Sequence, residues 1–277
     1  MLRACVIGWP VEHSRSPLIH NYWLKQYGID GRYEKEAVRP EEFAAFVASL
    51  GARGYVGCNV TLPHKEAALR AAASADAAAV AIGAANTLWL DQDGTLHASN
   101  TDAYGFMTNL EAEAPDWNEG ERPVMVLGAG GAARAILYGL LQAGVSGILL
   151  ANRTSKRAEA LAGEFGPRVS VADWEQRDRA LTTCGLLVNA TSLGMTGKER
   201  LELDLAALPK DAVVADIVYN PLTTELLAAA RARGNRAVDG LGMLLHQAVP
   251  GFERWFGVRP EVTPELRAHV AASLGGT

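Results

Sequence analysis

Short apolar runs separated by polar turns alternate along the chain with segments of helical periodicity. In the first hundred residues, strands are predicted at 2–8, 33–38 and 54–60, and a hairpin at 86–90 and 96–100. Helices are predicted at 16–27, at 40–50, in the segment that follows Thr61, in a short segment that ends near Ile82, and from Asp102 onward. Ser16 is predicted to cap the first helix, with Pro17 at its first position. This alternation favours a mostly parallel sheet.

The second half repeats the alternation after a polar segment, 112–122, that is a candidate linker. Its strands are predicted at 123–128, 147–152, 186–191, 212–219 and 235–240, with helices in the gaps, including one at 223–234. Two further helices, 241–256 and 263–274, are predicted after Gly240. The pattern therefore predicts the α/β fold class throughout.

Composition narrows the class of protein. The chain has 277 residues, of which 49% are hydrophobic and 21% charged, as in an ordinary globular protein of one large or two smaller domains. No apolar run reaches the roughly 18 residues that cross a bilayer. The first residues, MLRACVIG, are too short and too strand-like for a secretory signal. We therefore expect no membrane partner.

Cysteines, histidines and net charge exclude further classes. Cys5, Cys58 and Cys184 form neither a CxxC pair nor a disulfide framework, which favours a reducing, cytoplasmic location. The six histidines show no metal-ligand spacing, so no metal site is predicted, and His13 and His64 are expected to be loop or rim residues. The net charge of −5 comes without a basic block and argues against nucleic acid as a partner.

A glycine-rich turn, GAGGAAR (128–134), lies between the predicted strand at 123–128 and an apolar helix. Gly128 permits a tight turn, and Gly130 and Gly131 let the backbone approach a pyrophosphate at the positive end of the helix. Ala133 occupies the position that needs a small residue for close packing of helix on strand. A plain glycine turn and an S-adenosylmethionine site are the alternatives, but the strand–turn–helix context favours a dinucleotide.

The next predicted strand ends at Asn152, about where NAD-binding proteins place an acidic residue against the ribose. No acidic residue is present there. The segment NRTSKR (152–157) instead supplies cations and hydroxyl groups, from Arg153, Thr154, Ser155, Lys156 and Arg157. A guanidinium binds a 2′-phosphate well, whereas cations at the start of a merely solvated helix oppose its dipole. The segment therefore favours NADP over NAD and argues against a methyltransferase.

Three polar clusters in the first half each lie at the C-terminal end of a predicted strand: 13–16, 59–61 with Lys65, and Asn86 with 100–102. Ligands bind at the carboxyl ends of strands in open α/β sheets, so these clusters are expected to face one site. Together they offer hydroxyl groups, amides, one amine and one carboxylate. That chemistry suits a polyhydroxylated acid better than an apolar ligand.

These motifs closely resemble those of the shikimate dehydrogenase family, whose members reduce 3-dehydroshikimate to shikimate with NADPH. The matching stretches follow the family's order and spacing: GWPVEHSRSP (8–17), NVTLPHKE (59–66), GAANT (83–87), NTDAYG (100–105), GAGGAAR (128–134), NRTSKR (152–157), NATSLGM (189–195), DIVYNPLTT (216–224) and DGLGMLLHQ (239–247). The resemblance implies two α/β domains with a cleft between them. Residues 1–104 and 241–277 would form the substrate domain, and residues 105–240 a Rossmann-like NADP-binding domain.

The resemblance also implies a role for each matched residue. The implied catalytic residues are Lys65, as general acid, and Asp102, which assists it. The implied substrate contacts are Ser14 and Ser16 at the carboxylate, Tyr219 on the same side, and Thr61, Asn86, Asp102 and Gln247 at the ring oxygens, together with Lys65. The implied cofactor contacts are Gly128, Ala129, Gly130, Gly131, Ala132, Asn152, Arg153, Thr154, Ser155, Lys156 and Arg157, with Ile217 and Gly240 lining the nicotinamide pocket.

The sequence leaves several alternatives open. A quinate or quinate/shikimate dehydrogenase would share the fold and the catalytic pair, and a non-catalytic NADP-binding regulator would share the cofactor site. Lys65 taken alone would be a surface lysine in the first turn of a helix, and Met243 suits either the core or a pocket lining. Asn59 is expected to order the loop around Thr61. The expected partner is a small molecule; a homodimer is compatible with the sequence, which does not determine the oligomeric state.

Overall fold

The computed structural model describes residues 1–274. In this range the strands are β1 Leu2–Gly8, β2 Gly31–Ala37, β3 Tyr55–Val60, β4 Ser74–Ala75, β5 Thr87–Leu90, β6 Leu96–Ser99, β7 Val124–Leu127, β8 Ile148–Ala151, β9 Val169–Ala172, β10 Leu186–Asn189, β11 Val213–Asp216 and β12 Arg236–Val238. The helices are α1 Ser16–Gln26, α2 Phe43–Ala48, α3 Lys65–Ala71, α4 Ala77–Ile82, α5 Asp102–Glu113, α6 Gly131–Gln142, α7 Ser155–Phe165, α8 Arg177–Ala180, α9 Glu225–Arg233, α10 Gly240–His246, α11 Ala248–Phe256 and α12 Pro264–Ala272. The predicted α/β fold class is confirmed.

The chain divides into two compact units. The first comprises Met1–Asp102 with Leu245–Val270, and the main part of the second is Ala103–Leu244. The segment 112–122 lies within the second unit, where Ala114 and Trp117 are buried in the core. The prediction of a linker there was wrong, because two apolar side chains anchor a segment that is otherwise polar.

The first unit is built on a six-stranded mixed sheet in the order β2-β1-β3-β5-β6-β4. The pairs β1–β2 and β1–β3 are parallel, whereas β5 runs antiparallel to both β3 and β6. The predicted hairpin accounts for the antiparallel pair β5–β6, since these two strands follow each other directly in the sequence. The two-residue strand β4 was not predicted, because so short a run has no periodicity to detect.

An aromatic layer covers one face of this sheet. Trp23 of α1 and Phe252 of α11 are buried and meet edge to face, with ring centres 5.3 Å apart. Trp255, also on α11, donates from its indole nitrogen to the main-chain oxygen of Leu88 at 3.0 Å. Helix α11 therefore packs on the first unit, although it follows the main part of the second unit in the sequence.

The second unit is a parallel sheet in the order β12-β11-β10-β7-β8-β9. In chain order this is the doubly wound 3-2-1-4-5-6 arrangement, with its reversal between β7 and β10. Both faces are covered, which is why strands such as Val124–Leu127 are buried at every position. The edge strand β9 was not predicted, because Ser170 and Val171 are exposed and only Val169 shows the burial expected of a strand residue.

Two local predictions were wrong. Ser16 is the first helical residue and Arg15 occupies the capping position before it, while the Ser16 hydroxyl accepts a hydrogen bond from Ser14 Oγ at 3.2 Å. The helix predicted over 241–256 is divided at Gln247 into α10 and α11. Pro250 has no N–H to offer the carbonyl of residue 246, so the helical bonding is interrupted there.

The cysteines, the lengths of the helices and the distribution of metal-binding side chains can be described for residues 1–274 together. The three cysteines are free and buried, and Cys5 lies opposite Cys58 on neighbouring strands. Burial raises the pKa of the Cys5 thiol. Within residues 1–274, no helix combines the length and apolar character needed to cross a bilayer. No three His, Cys, Asp or Glu side chains of this range gather as ligands for a metal ion.

Candidate functional site

The first unit contains a closely spaced lysine and aspartate. Lys65 is the first residue of α3 and Asp102 the first residue of α5, so each side chain is placed where a preceding strand or loop ends. The Lys65 Nζ atom lies 2.5 Å from Asp102 Oδ2, and the two side chains are 26% and 13% exposed. The charged pair is thus shielded from bulk water but open to a small ligand.

The side-chain amide of Asn86 holds the other oxygen of this carboxylate. Asn86 Nδ2 donates to Asp102 Oδ1 at 2.8 Å and to Thr101 Oγ1 at 3.0 Å. The main-chain N–H of Thr101 donates to Asn86 Oδ1 at 2.9 Å. Asn86 is 3% exposed, so its bonds are protected from competing water. The carboxylate of Asp102 is therefore held from two sides.

Thr61 and Gln247 belong to the same unit. The Thr101 hydroxyl donates to the main-chain oxygen of Gln247 at 2.8 Å, which places the junction of α10 and α11 beside the Asn86 amide. Thr61 follows β3, and its main-chain N–H donates to the oxygen of Ile7 at 2.9 Å. A Cβ atom at Gly8 would lie 2.4 Å from the Thr61 Cγ2 atom, so glycine is required where these two segments meet.

The two serines form a small hydroxyl cluster before α1. Ser14 Oγ accepts from the main-chain N–H of Ser16 at 3.3 Å and donates to its hydroxyl. Ser16 is 7% exposed, whereas Ser14 is half-buried. The strand β1 that leads to this segment pairs with β3, which leads to Thr61 and Lys65. Both segments therefore leave the sheet at its carboxyl edge.

The glycine-rich turn of the second unit has the geometry of a phosphate cradle. Gly128 has φ +107°, and a Cβ atom there would lie 3.0 Å from the main-chain oxygen of Ala190. At Gly130 and Gly131, in contrast, a Cβ atom would meet no atom within 4 Å, so open space lies over the start of α6. Ala133 is fully buried against the core. Free backbone at a helix N-terminus fits a pyrophosphate.

The basic segment 152–157 lies beside this turn. Asn152 Oδ1 accepts from the main-chain N–H of Ala129 at 3.1 Å, which ties the segment to the glycine turn. From Arg153 to Arg157 every residue is exposed, and α7 begins at Ser155 with no acidic residue in its first turn. Arg153 Nη1 lies 3.2 Å from Glu199 Oε2, and both side chains are 76% exposed. These residues fit an anionic group bound from solution.

Gly240 closes the turn after β12. A Cβ atom at this position would lie 2.2 Å from the main-chain oxygen of Ile217, so only glycine allows this approach. Met243 is partly buried and packs against the core of the second unit. Tyr219 also lies in this unit, half-buried on the segment that follows β11. The structure thus divides the predicted site residues between the two units.

Sequence reasoning missed a buried polar group at the end of β11. Asp216 is 2% exposed and accepts from Asn189 Nδ2 at 3.0 Å, from the Thr224 hydroxyl at 2.7 Å and from the N–H of Val218 at 3.0 Å. Burial raises the pKa of Asp216 to about 6, although these hydrogen bonds act in the opposite direction. Its place at a strand end, in the matched stretch DIVYNPLTT, was an available signal.

Two other polar residues serve the fold. His64 was expected at a loop or rim, but it is 2% exposed, stacks on Phe43 and donates from Nε2 to the oxygen of Val38 at 2.7 Å. Asp76 caps α4 by accepting from the N–H of Ala79 at 2.7 Å. A histidine with one apolar neighbour and one carbonyl acceptor is as well suited to the core as to the surface.

Comparison with known proteins places both units in one family. Family models match residues 6–88 as a shikimate dehydrogenase substrate binding domain, 112–219 as shikimate / quinate 5-dehydrogenase and 240–264 as a shikimate 5′-dehydrogenase C-terminal domain. A relative from Rhodopseudomonas palustris strain HaA2, named shikimate dehydrogenase (NADP(+)), is 60% identical over 98% of this chain and 96% of its own length.

Solved structures of this family are similar to this chain over nearly its whole length. A shikimate dehydrogenase from Thermus thermophilus in complex with NADP(H) and shikimate is 37% identical, with a TM-score of 0.86 over 99% of this chain and all of that one. A quinate dehydrogenase from Corynebacterium glutamicum in complex with NAD is 30% identical, with a TM-score of 0.91 over 98% of this chain and 99% of that one. The predicted family is confirmed: this chain belongs to the shikimate dehydrogenase family.

Proposed function

We propose that this protein catalyses the reversible, NADPH-dependent reduction of 3-dehydroshikimate to shikimate. The observation that carries the proposal is the Lys65–Asp102 pair, 2.5 Å apart and held by Asn86, in a chain of this family. A ketone reduction needs a proton donor at the carbonyl oxygen, and an ammonium group provides both the proton and a positive charge.

Proton transfer is assigned to Lys65. When bound, NADPH supplies the hydride that adds to the C3 carbon of the ketone. Lys65 Nζ donates a proton to the C3 oxygen as negative charge develops there, and Asp102 keeps the ammonium group in place. In the oxidative direction the neutral amine accepts the same proton, because catalysis must follow one path in both directions.

Hydroxyl and amide groups of the first unit are assigned to substrate binding. The hydroxyls of Ser14 and Ser16 would donate to the substrate carboxylate, with Tyr219 as a further contact. Thr61, Asn86 and Gln247 would bind the ring hydroxyls, together with the catalytic pair. The assignment to the ring hydroxyls is supported by the hydrogen bonds from Asn86 to Asp102 and from Thr101 to Gln247.

Groups of the second unit are assigned to the cofactor. The open backbone over Gly130 and Gly131 would receive the pyrophosphate, with Gly128, Ala129 and Ala132 completing the turn. The segment 152–157, exposed from Arg153 onward, would bind the 2′-phosphate, with Arg153 as its main contact. The backbone around Ile217 and Gly240 would border the nicotinamide. Residues 105–240 would thus form the NADP domain, and residues 1–104 with 241–277 the substrate domain.

Location and assembly are further proposals. Three free, buried cysteines favour a reducing compartment and hence the cytoplasm. A homodimer is proposed as the oligomeric state, and sedimentation equilibrium would show a mass of twice the 29.5 kDa chain if it forms.

A matrix of two substrates and two cofactors tests the proposed function. We expect kcat/KM for shikimate with NADP to exceed the values for quinate with NADP and for shikimate with NAD. The resemblance to a quinate dehydrogenase that binds NAD makes the second arm necessary. A higher kcat/KM for quinate would assign the protein to that activity instead, and tight NADPH binding without any turnover would indicate a regulator.

A further inference from the structure

We propose that the hydroxyl groups of Thr87 and Tyr33 are positioning groups for the Lys65–Asp102 pair, acting through the side-chain amide of Asn86. The proposal rests on the proposed function, because it concerns the pair that we assign to proton transfer. Both residues are buried, with Tyr33 2% and Thr87 1% exposed. They are linked to Asp102 by a series of hydrogen bonds through Asn59 and Asn86, which we call the interior hydrogen-bond chain.

The interior hydrogen-bond chain begins on β2 and crosses the sheet. The Tyr33 phenol donates to Asn59 Oδ1 at 2.6 Å. Asn59 Nδ2 lies 3.2 Å from Thr87 Oγ1 and 3.2 Å from the main-chain oxygen of Asn86. Asn59 and Thr87 face each other across the antiparallel pair β3–β5. Thr87 Oγ1 in turn lies 2.9 Å from Asn86 Oδ1.

The number of protons that each group can donate assigns one direction to every hydrogen bond of the chain. The main-chain oxygen of Asn86 can only accept, so the NH2 group of Asn59 must face it, and the carbonyl of Asn59 must face Tyr33. The Thr87 hydroxyl then accepts from Asn59 and has a single proton, which it donates to Asn86 Oδ1. No other arrangement satisfies these groups without opposing two acceptors.

This direction, together with the N–H of Thr101, sets which end of the Asn86 amide faces the catalytic pair. Asn86 Oδ1 accepts both from the Thr87 hydroxyl and from the N–H of Thr101. The NH2 group is therefore turned to Asp102 Oδ1, and Asp102 Oδ2 is left for Lys65. The reversed amide would direct an oxygen at a carboxylate, and repulsion between these acceptors would displace Asp102 from the lysine.

Packing keeps the first member of the chain in place. The Tyr33 ring stacks on the buried ring of His20, with centres 4.1 Å apart and planes 14° apart. Burial lowers the pKa of His20 to about 3, so this ring is neutral and packs as an aromatic group. Burial raises the pKa of the Tyr33 phenol, and a hydrogen bond with the Ser16 hydroxyl lowers it by a smaller amount. Ser16 is one of the two serines assigned to the substrate carboxylate.

A merely structural role would have a different consequence. If Thr87 and Tyr33 only satisfied buried partners, their removal would lower the stability of the fold and leave turnover per folded molecule unchanged. A positioning role instead predicts a fall in kcat that is restored when a hydroxyl is restored. It also predicts an unchanged KM for NADPH, because the proposed cofactor residues belong to the other unit.

The experiment compares Thr87→Val, which removes only the hydroxyl, with Thr87→Ser, which keeps it. Tyr33→Phe tests the far end of the chain, and Tyr55→Phe is its matched control. Tyr55 is also buried and donates to Glu36 Oε1 at 2.5 Å, but it has no bond to Asn59. Steady-state kinetics with 3-dehydroshikimate and NADPH are measured beside thermal unfolding for each variant.

We expect Thr87→Val to lower kcat about 10-fold and Tyr33→Phe about threefold, since the second hydroxyl acts through one more link. Thr87→Ser should recover to within about twofold of the unmodified protein, KM for NADPH should stay within about twofold throughout, and Tyr55→Phe should keep its kcat. If Thr87→Val does not fold, the contrast between Tyr33→Phe and Tyr55→Phe decides the question.

Three results would overturn the proposal. They are an unchanged kcat in Thr87→Val, a kcat in Thr87→Ser as low as in Thr87→Val, and equal losses in Tyr33→Phe and Tyr55→Phe. Turnover by the unmodified protein separates this failure from the larger one. If that protein does not reduce 3-dehydroshikimate, the proposed function fails and this inference fails with it; if it does, only the positioning role is refuted.

Discussion

The two units treat their functional charges in opposite ways. In the first, Lys65 and Asp102 are 26% and 13% exposed, and the amide that holds the carboxylate is almost fully buried. In the second, Arg153 and its partner Glu199 are each 76% exposed. The glycine turn beside them presents bare backbone to open space. One unit therefore has a prearranged charged site, and the other an open one.

This difference follows from what each set of groups has to do. A proton donor must already be in place when charge develops on the substrate, and its effect is greatest where water is excluded. A cation that binds a nucleotide phosphate can stay hydrated, because several contacts and long-range electrostatic attraction together provide the binding energy. The comparison therefore predicts changes in kcat for the first unit and in cofactor KM for the second.

The largest effect is expected for Lys65→Ala. This change removes the proposed proton donor and leaves the Asp102 carboxylate without its cation. We expect kcat for 3-dehydroshikimate to fall about 1,000-fold, within the range seen for loss of a general acid. The dissociation constant of NADPH, measured by fluorescence titration, should not change.

Lys25→Ala is the control for the loss of a positive charge from the first unit. Lys25 is exposed near the end of α1, and its removal should leave kcat unaltered. A Lys65→Ala protein with near-normal kcat would exclude Lys65 as the acid. An equal loss of NADPH affinity would remove the contrast between the two units.

The second prediction concerns the free energy of unfolding in acid. Lowering the pH should destabilise the first unit through His20 and stabilise the second through Asp216. Burial lowers the pKa of His20 from 6.5 to about 3, so the folded first unit excludes a proton that the unfolded chain binds. The stability of this unit therefore falls as pH drops from 6.5 toward 3, by up to about 1.4 kcal/mol per pH unit. Burial raises the pKa of Asp216 from 3.8 to about 6, so the second unit loses stability as pH rises through that range.

Urea unfolding between pH 4.5 and 7 tests these signs. His20→Phe should flatten the loss of stability toward acid, whereas Asp216→Asn should steepen it by removing the opposing contribution. Fluorescence of Trp23, in the first unit, and of Trp117, in the second, distinguishes the two transitions in variants that keep one of these tryptophans. If both substitutions changed the slope in the same direction, one of the two burial effects would be wrongly assigned.

A smaller effect is expected for Arg153→Ala in the second unit. Loss of the guanidinium should raise KM for NADP about 10-fold and change KM for NAD by less than about twofold, because only NADP carries the 2′-phosphate. Arg236→Ala is the control, since Arg236 is an ion-paired arginine at the amino-terminal edge of the same sheet. Equal changes in both KM values would show that Arg153 does not select the cofactor.

Glu199→Gln completes this test with the smallest effect. The carboxylate pairs with Arg153 in the structure and would compete with the 2′-phosphate for it. Exposed ion pairs contribute little, so we expect NADP affinity to rise only about twofold to threefold. Calorimetric titration at low salt should show this gain, and weaker binding would mean that Glu199 supports the site.

Sequence patterns predicted the site residues to different extents. Lys65 and Asp102 lie in the motifs NVTLPHKE and NTDAYG, and the glycines of GAGGAAR have the spacing that a dinucleotide turn requires. These residues could therefore be predicted from the sequence. Asp216 and Asn189 lie in matched stretches but were not singled out, because a buried polar residue at a strand end is recognised only when its partners are known. Glu199 had no signal, since its relation to Arg153 spans a loop.

Sequence by itself determined the α/β alternation, the Rossmann-like character of the second unit and the family, because these depend on local periodicity and short motifs. Tertiary structure alone decided the orientation of the Asn86 amide. That orientation depends on Tyr33, Asn59 and Thr87, which come from three strands and meet only through the register of the sheet. Hydrogen-bond direction is a property of the assembled group, so no pattern along the chain could reveal it.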